Sequence, residues 1–191
     1  MARDRLIVAI AGGSGATYGV RALEALRRLR TIETHLIVTR SGATALAGET
    51  GLTPAKLGRL ADVVNDPADR KPFIFAGAMG LLVAPCSAAT LRAIADEDNA
   101  DPVARAAETC LKERRRVVLV IPETPLDLPA IQLMARATRL GAVIVPPVPA
   151  FYHRPQTLDD IVDQTVGRAL DLFGIEAGLV RRWTEDDRRS S

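Results

Sequence analysis

The chain has 191 residues, 48% hydrophobic and 25% charged, and its 25 basic and 23 acidic side chains leave a net charge of +2. This length suits one domain with a hydrophobic core. The small, mixed charge argues against a nucleic-acid binder, and no apolar stretch approaches the roughly 20 residues that span a bilayer. The sequence predicts one domain over residues 1–180, followed by a charged tail at 181–191.

The first apolar run, 6–10, ends in the glycine-rich turn 12–16, after which a helical segment begins. A buried strand that leads through such a turn into a helix leaves backbone N–H groups where a phosphate can bind. The turn lacks the lysine of a P-loop and does not match G-x-G-x-x-G. A phosphate site, an NADP site with Arg40 on the 2′-phosphate, and simple close packing remain alternatives.

Apolar runs of strand length alternate with helix-length segments along the rest of the chain. Each run is nearly continuous in apolar residues, which is typical of strands covered on both faces. The predicted strands are 6–10, 35–39, 81–85, 117–121 and 142–145, and the predicted helices are 17–29, 41–49, 53–61, 88–97, 103–114, 128–140 and 157–173. This alternation predicts an α/β fold, a three-layer, doubly wound parallel sheet.

The cysteines and histidines limit which redox, nucleophilic and metal chemistry the chain can carry out. Cys86 and Cys110 form no C-x-x-C pair, and the start of the chain shows no secretory pattern, so a reducing, cytoplasmic compartment is expected. Cys86 is read as a small buried residue rather than a nucleophile. The two histidines, His35 and His153, cannot assemble a His-rich site, and we expect no catalytic metal.

The residues that follow the apolar runs should meet at the carboxyl edge of the sheet, where open parallel sheets bind their ligands. They are Gly12 to Ser14, Thr39, Ser87 with Thr90, Glu123 and the stretch 146–152. The set is rich in hydroxyls and has one carboxylate. It favours a phosphate and a polar ring system over a metal ion.

Six blocks of the sequence carry a family resemblance: G-G-S-G-A-x-Y-G at 12–19, A-P-C-S-x-x-T-L at 84–91, R-A-A-E at 105–108, L-K-E-R-R at 111–115, E-T-P-L at 123–126 and P-P-V-P-A-F-Y-H-R-P-Q-T at 146–157. Together they resemble the UbiX-type flavin prenyltransferases, Rossmann-like members of the homo-oligomeric flavoproteins. The last block is long and specific. The resemblance extends from about residue 5 to residue 183.

The resemblance implies an FMN site at a subunit junction and a second pocket for dimethylallyl phosphate. The family joins the dimethylallyl group to N5 and C6 of reduced FMN without a metal. The product, prenylated FMN, serves a UbiD-type decarboxylase. By resemblance the chain is a cytoplasmic, metal-independent prenyltransferase and a homo-oligomer, a trimer-based dodecamer, with no nucleic-acid partner.

The resemblance also assigns residues by position. FMN would be held by Gly12, Gly13, Ser14, Thr39 (in place of the usual serine), Ser87, Ala88, Ala89 and Thr90. The prenyl phosphate would be held by Arg105, Lys112, Tyr152 and Arg168. The catalytic positions would be Glu123, Ser14 and Lys112. Glu123 would move protons during ring closure, and positive charge would stabilise the leaving phosphate.

Plainer readings of some of these residues stay open. Arg105 and Lys112 lie seven residues apart and could form a solvated helix face. Glu123 could cap the helix that follows it. Trp183 could close over a neighbouring flavin or simply anchor the tail.

Three positions depart from the family pattern. Pro122 stands where the family has a flavin-contacting arginine, Phe73-Ile74-Phe75-Ala76 replaces S-G-S-F, and Asp101 replaces an asparagine. These changes would fall on the flavin's chemical face, whereas the phosphate-binding blocks are largely intact. Binding of FMN is therefore better supported than turnover.

Two hypotheses of different classes follow. One is an active prenyltransferase, in which Phe73 and Phe75 offer aromatic surface to an allylic cation. The other is an FMN-binding relative that does not prenylate and acts as an accessory subunit or with altered flavin chemistry. A third, the cysteine decarboxylase branch of the fold, needs a catalytic histidine that neither His35 nor His153 matches in position.

Overall fold

Six parallel strands form one sheet in the computed structural model, which describes residues 3–69 and 75–180. The strands are β1 (Asp4–Ile10), β2 (Ile32–Val38), β3 (Val63–Asn65), β4 (Gly80–Val83), β5 (Arg116–Val120) and β6 (Val143–Val145), in the spatial order β3-β2-β1-β4-β5-β6. The chain winds outward from β1 to β3, then returns to place β4 on the other side of β1. The predicted doubly wound parallel sheet is confirmed, and the reversal between β1 and β4 opens a crevice at its carboxyl edge.

Helices cover both faces of the sheet. They are α1 (Ala16–Leu29), α2 (Arg40–Thr50), α3 (Pro54–Leu57), α4 (Ala88–Ala95), α5 (Pro102–Lys112), α6 (Leu128–Leu140) and α7 (Leu158–Asp171), with short 3₁₀ helices at Gly58–Leu60 and Phe151–His153. Several of these helices begin at a residue whose side chain caps the first turn. At α7, Thr157 and Asp160 form a complete capping box.

The core divides into two hydrophobic clusters because successive residues of a strand point to opposite faces. Leu6, Val8 and Ile10 of β1 belong to the cluster that contains residues of α1 and α7. Ile7 and Ala9 belong to the cluster built with α4, α5 and α6. The three predicted layers are therefore present, with β1 and its neighbours buried between them.

Three differences from the predicted elements have a clear cause in the structure, and the ends of the other elements differ by at most three residues. β3 was not predicted, because Val63 and Val64 are exposed and the strand shows no apolar run. The predicted helix 53–61 ends as α3 and continues as a 3₁₀ turn. The helix predicted to end at 97 ends at Ala95, and Glu97 adopts a positive φ of 56°.

Some predictions fall on residues that the structure does not describe. These are Phe73, Trp183 and the tail at 181–191. Within the described ranges, no helix is both long and apolar enough to cross a membrane.

Candidate functional site

Three turns meet at the carboxyl edge of the sheet, at 12–15, 39–41 and 85–87. The N–H of Ala11 donates to the carbonyl of Pro85 at 3.1 Å, and the N–H of Thr39 donates to the carbonyl of Ile10 at 3.1 Å. The hydroxyl of Ser41 donates to the carbonyl of Ala11 at 3.3 Å. The expected convergence of these hydroxyl-bearing turns is confirmed, and we call this region the carboxyl-edge cradle.

Glycine allows the backbones of the cradle to come close. Gly12 has φ of +84°, and a Cβ there would lie 2.6 Å from Oγ of Ser41. A Cβ on Gly42 would lie 2.1 Å from the carbonyl oxygen of Ile10. Since neither distance is tolerable, side chains at these positions would push α2 and its turn away from β1.

Two helix starts of the cradle offer groups that bind an anion. Thr39 caps α2 by accepting from the N–H of Gly42 at 3.0 Å. Ser87 caps α4 by accepting from the N–H of Thr90 at 3.2 Å. The N–H groups of Ala88 and Ala89, the first two residues of α4, have no protein acceptor within the described residues. Helix starts of this kind favour a phosphate, so the cradle fits the phosphate of FMN.

The start of α1 is already occupied by a carboxylate of this chain. Glu49, near the end of α2, accepts from the N–H of Gly15 at 3.0 Å and from that of Ala16 at 2.8 Å. The N–H groups of Gly15 and Ala16 are therefore not bare in this structure, and the assignment of Gly12, Gly13 and Ser14 to a phosphate stays a prediction. The starts of α2 and α4 are the helix ends of the cradle that suit an anion.

Glu49 is a site residue that sequence reasoning missed. It belongs to no motif and lies more than thirty residues from the turn it contacts. Its carboxylate binds the N–H of Gly15, the residue that follows Ser14 in the chain. Burial, and secondarily the charge of Glu49, raises the pKa of Tyr18. The cradle thus contains a carboxylate of this chain.

Tyr152 and Arg168 lie in a second region, beside β6. Tyr152 stands in the 3₁₀ helix Phe151–His153, and its hydroxyl accepts from Nε2 of Gln164 in α7 at 3.0 Å. Gln164 and Arg168 both line a cavity of about 380 Å³ together with Val145 and Pro146. The structure therefore brings the predicted prenyl-phosphate residues Tyr152 and Arg168 into one region.

Arg105 holds two loops together. Its guanidinium donates to four backbone carbonyls, those of Pro67, Asp69, Asn99 and Ala100, at 3.1 to 3.2 Å. The two loops follow β3 and precede α5. Arg105 therefore joins the two loops and is not part of a solvated helix face, and its assignment to the prenyl phosphate stays a prediction.

Lys112 lies at the other end of the sheet from the cradle. It is the last residue of α5, and β5 starts four residues later at the amino edge. Its Nζ donates to Glu108, and that hydrogen bond raises the pKa of Lys112. Within one chain, Lys112 is not brought together with Ser14.

Glu123 lies at the carboxyl edge, three residues after β5 ends, and its side chain is exposed. It does not cap the following helix. Asp127 does so instead, accepting from the N–H of Ala130 at 2.9 Å. The plainer reading of Glu123 as a cap is therefore wrong.

Two of the three departures have structural explanations. Phe75 is 7% exposed and belongs to the same core cluster as Leu81. The prediction that Phe75 presents its ring to an allylic cation is therefore wrong. Asp101 caps α5 and accepts from the N–H groups of Val103 and Ala104 at 2.7 and 2.9 Å. Nothing in the structure explains Pro122.

Cys86, Cys110 and His35 are buried within the described residues. Burial raises the pKa of the Cys86 thiol far above its usual range and that of Cys110 to about 12, so neither is a thiolate at neutral pH. His35 is buried in β2, with Nε2 2.7 Å from a carboxylate oxygen of Glu33. Nowhere in the described ranges do three or more potential metal ligands of the His, Cys, Asp and Glu types come together.

Comparisons with known proteins show which family this chain resembles. Residues 1–170 match the family model described as Flavoprotein. The chain is 45% identical to the flavin prenyltransferase UbiX of Thauera aromatica over 188 residues, which cover 97% of this chain and 96% of that protein. It superposes on the crystal structure of AnUbiX (PadA1) in complex with FMN and dimethylallyl pyrophosphate with a TM-score of 0.91, at 43% identity, covering 96% of this chain and 98% of that one.

A second solved structure is similar over nearly the same length. It is the dodecameric FMN-dependent UbiX-like decarboxylase from Escherichia coli O157:H7, with a TM-score of 0.90 and 41% identity. The alignment covers 94% of this chain and 99% of that chain.

Proposed function

Since the chain belongs to the flavoprotein family and, within it, to the UbiX-like flavin prenyltransferases, we propose that it joins the dimethylallyl group of dimethylallyl phosphate to N5 and C6 of reduced FMN. The observation that carries the proposal is the carboxyl-edge cradle, where three hydroxyl-bearing turns meet at the β1/β4 crevice. A relative of 43% identity was crystallised with FMN and a dimethylallyl ester, which supports both ligands.

FMN binding is assigned to the cradle. Thr39, Ser87 and the N–H groups of Ala88 and Ala89 would hold its phosphate, and the glycines at 12 and 13 would let the backbone approach it. When bound and reduced, FMN supplies the nitrogen and carbon nucleophiles of the reaction. Ser14 would help to position the flavin and exchange protons at this turn, next to the Gly15 N–H group that Glu49 binds.

The prenyl donor is assigned to the basic and phenolic groups. Arg168 and Tyr152 would bind its phosphate and stabilise the charge that develops when the C–O bond breaks. Glu123, exposed at the same edge of the sheet, would take up the proton released at ring closure. These cationic and hydroxyl groups suit ionisation of the ester without a metal.

We propose a homo-oligomer in which neighbouring copies complete each site. Lys112 and Ser14 lie at opposite edges of the sheet in one chain, so both can act on one substrate only if different copies supply them. Large apolar side chains are also exposed together on the segment that carries Tyr152: Val148, Phe151 and Leu158. The dodecamer formed by the similar UbiX-like decarboxylase supports this assembly.

The proposal extends to the fate of the product and to the cellular compartment. Prenylated FMN would be passed to a UbiD-type decarboxylase that uses it. Both cysteines are free and buried, which suits the reducing cytoplasm.

A second function, FMN binding without prenyl transfer, is favoured by one observation. Pro122 precedes Glu123 at the carboxyl edge, where the family pattern has a flavin-contacting cation. Pro122→Arg would restore that cation and so separates the two functions. If the wild type is inactive and the variant gains prenyl transfer, the result supports the second function for the wild type. Restoring the family serine at Phe75 would be uninformative, because it would place a hydroxyl in the core.

The deciding experiment is anaerobic incubation of FMN-loaded, reduced protein with dimethylallyl phosphate, followed by mass spectrometry of the extracted flavin. We expect a flavin that has gained one dimethylallyl unit. An authentic family member is the positive control. An unchanged flavin mass, under conditions where that control reacts, rejects the prenyltransferase and leaves the accessory FMN-binding function.

A further inference from the structure

A cavity of about 570 Å³ lies at the amino edge of the sheet, opposite the carboxyl-edge cradle. Its lining residues lie where strands begin and helices end. Met79 comes just before β4, Arg116 begins β5, Gly141 follows α6, and Leu172 follows α7 on the other face of the sheet. This amino-edge cavity contains none of the residues assigned to FMN or to the prenyl phosphate.

Apolar side chains from both faces of the sheet form the floor of the amino-edge cavity. Phe173 packs against Gly80, where an added Cβ would lie 2.6 Å from Cε1 of the ring. Leu111 lies against Gly141, where an added Cβ would be 3.3 Å from Cδ2 of the leucine. Because both side chains pack directly onto glycine backbone, the apolar floor is held in place by the sheet and its helices.

The three consecutive arginines at 114–116 supply the charge of the cavity. Their side chains are exposed, and none of the three guanidinium groups donates a hydrogen bond or forms an ion pair among the described residues. The nearest acidic residues in the sequence bind elsewhere, since Glu113 accepts from the N–H of Gly77 at 3.2 Å and Glu108 binds Lys112. No carboxylate of the described residues lines the cavity.

The helix dipole accounts for only part of this charge. Cations are favoured near the last turn of a helix, and Arg114 follows the end of α5 with a φ of 56°. Arg116 already belongs to β5, so a helix end does not explain its place in the lining. Arg30 follows α1 with a φ of 57° and is not among the residues that line the cavity. It is therefore a matched control for Arg114.

Cations beside an apolar floor suit an anion that carries an apolar group. A guanidinium binds phosphate through two parallel N–H groups, and a phosphate monoester carries about two negative charges at neutral pH. The volume lies within the range of about 300–1,000 Å³ that is typical of small-molecule sites.

We propose that the amino-edge cavity binds an organic phosphate monoester. The phosphate contacts the arginines at 114–116, and the apolar group lies on Leu111, Leu140 and Phe173. The inference goes beyond the proposed reaction and does not depend on it.

Phenyl phosphate is the probe, titrated by calorimetry into FMN-loaded protein. Arg168→Gln is the background for every titration, so that the phosphate site assigned beside β6 contributes little. We expect a dissociation constant below about 1 mM. Arg114→Gln and Arg116→Gln should each weaken binding about fivefold, the effect of one solvent-exposed charge pair. Arg30→Gln should leave the affinity unchanged.

Leu140→Asn tests the apolar part of the site. Leu140 is 37% exposed, so the change should disturb the fold little. It should weaken the binding of phenyl phosphate about three- to tenfold and leave that of inorganic phosphate unchanged. In the background protein, inorganic phosphate should bind more weakly than phenyl phosphate because it has no apolar group. Benzoate should also bind more weakly, because it carries a single charge.

Four results would overturn the inference. They are no binding of phenyl phosphate to the Arg168→Gln protein, unchanged affinity in Arg114→Gln and Arg116→Gln, an equal loss in Arg30→Gln, and binding of inorganic phosphate or benzoate at least as tight as that of phenyl phosphate. A flavin that stays unprenylated in the mass-spectrometric experiment rejects the proposed reaction and leaves this test as it is.

Discussion

The carboxylate of Glu49 accepts a hydrogen bond from the backbone N–H of Ala16 at 2.8 Å, which ties the end of α2 to the start of α1. The positive end of the α1 dipole is thereby matched by a charge of the same chain. We expect a phosphate that binds in the carboxyl-edge cradle to contact the starts of α2 and α4 rather than this end of α1.

Glu49→Gln should lower the pKa of Tyr18. Burial is the larger cause of the raised pKa, and the charge of Glu49 adds to it by disfavouring the phenolate. Removing the charge leaves burial in place, so the pKa should fall but stay above its ordinary value. The chain has two tyrosines, so absorbance titration in a Tyr152→Phe background reports Tyr18 alone. Glu24→Gln on α1 is the control, and an unchanged midpoint in Glu49→Gln would contradict the contact.

Gly42→Ala should damage the cradle. The added Cβ would lie 2.1 Å from the carbonyl oxygen of Ile10, so α2 has to shift away from β1. Overpacking of this kind costs about 1–3 kcal/mol of unfolding free energy, and FMN affinity should fall with it. Urea denaturation and flavin titration measure the two effects.

Gly48→Ala is the matched control in the same helix. No atom lies within 4 Å of a Cβ at Gly48. Because alanine favours the helix, the variant should gain about 0.5–1 kcal/mol in stability, with FMN affinity unchanged. Similar effects of the two alanines would contradict the close approach of Gly42 to β1.

The ion pair between Arg21 and Asp163 should stabilise the packing of α1 against α7. Arg21 donates to both carboxylate oxygens, and both side chains are mostly buried. The hydrogen bond to Asp163 raises the pKa of Arg21 further, so the guanidinium stays charged. A double-mutant cycle with Arg21→Met and Asp163→Asn should give a coupling of about 1–3 kcal/mol. The exposed pair Arg136 and Asp96 should give about 0–1 kcal/mol in the same measurement.

Asp62 should contribute to the loss of stability in acid. Hydrogen bonds from the backbone N–H of Thr34 and from Arg3 lower its pKa, against the opposing effect of burial. A carboxyl whose pKa is lower in the folded protein stabilises it above the ordinary pKa and loses that contribution as the pH falls through the folded value. The loss should therefore begin near the ordinary value of 3.8 and continue below it.

Asp62→Asn removes this titration. Its unfolding free energy should be lower than that of the wild type at neutral pH, and the difference should shrink below the ordinary pKa. Denaturant unfolding at both pH values measures it. A difference that stays constant with pH would show that Asp62 does not titrate in this way.

Much of the fold could be predicted because hydrophobic runs are its main signal. The runs at 6–10 and 117–121 are buried on both faces, so their sequences are continuously apolar. β3 escaped prediction because only Asn65 of its three residues is buried. The last residue of a helix could not be predicted where the backbone conformation, and not the hydrophobic pattern, ends the helix, as near Glu97 with its positive φ.

Reasoning from the strand ends alone could place only the residues that follow strands. Thr39 and Ser87 could be placed at the carboxyl edge because parallel strands end together there. The contacts of Glu49 with Ala16 and of Gln164 with Tyr152 could not be predicted, because no local pattern connects the residues in each pair. The buried state of Phe75 was missed for the same reason, since a phenyl ring in a loop can face solvent or core.

The opposite positions of Ser14 and Lys112 in one chain predict behaviour in mixtures of variants. A chain that lacks the hydroxyl at 14 and a chain that lacks the amine at 112 would each be defective alone. When the two are refolded together, some junctions pair an intact hydroxyl from one chain with an intact amine from another. Through intragenic complementation of this kind, the enzyme activity of a cell would depend on the mixture of chains present rather than on any single copy.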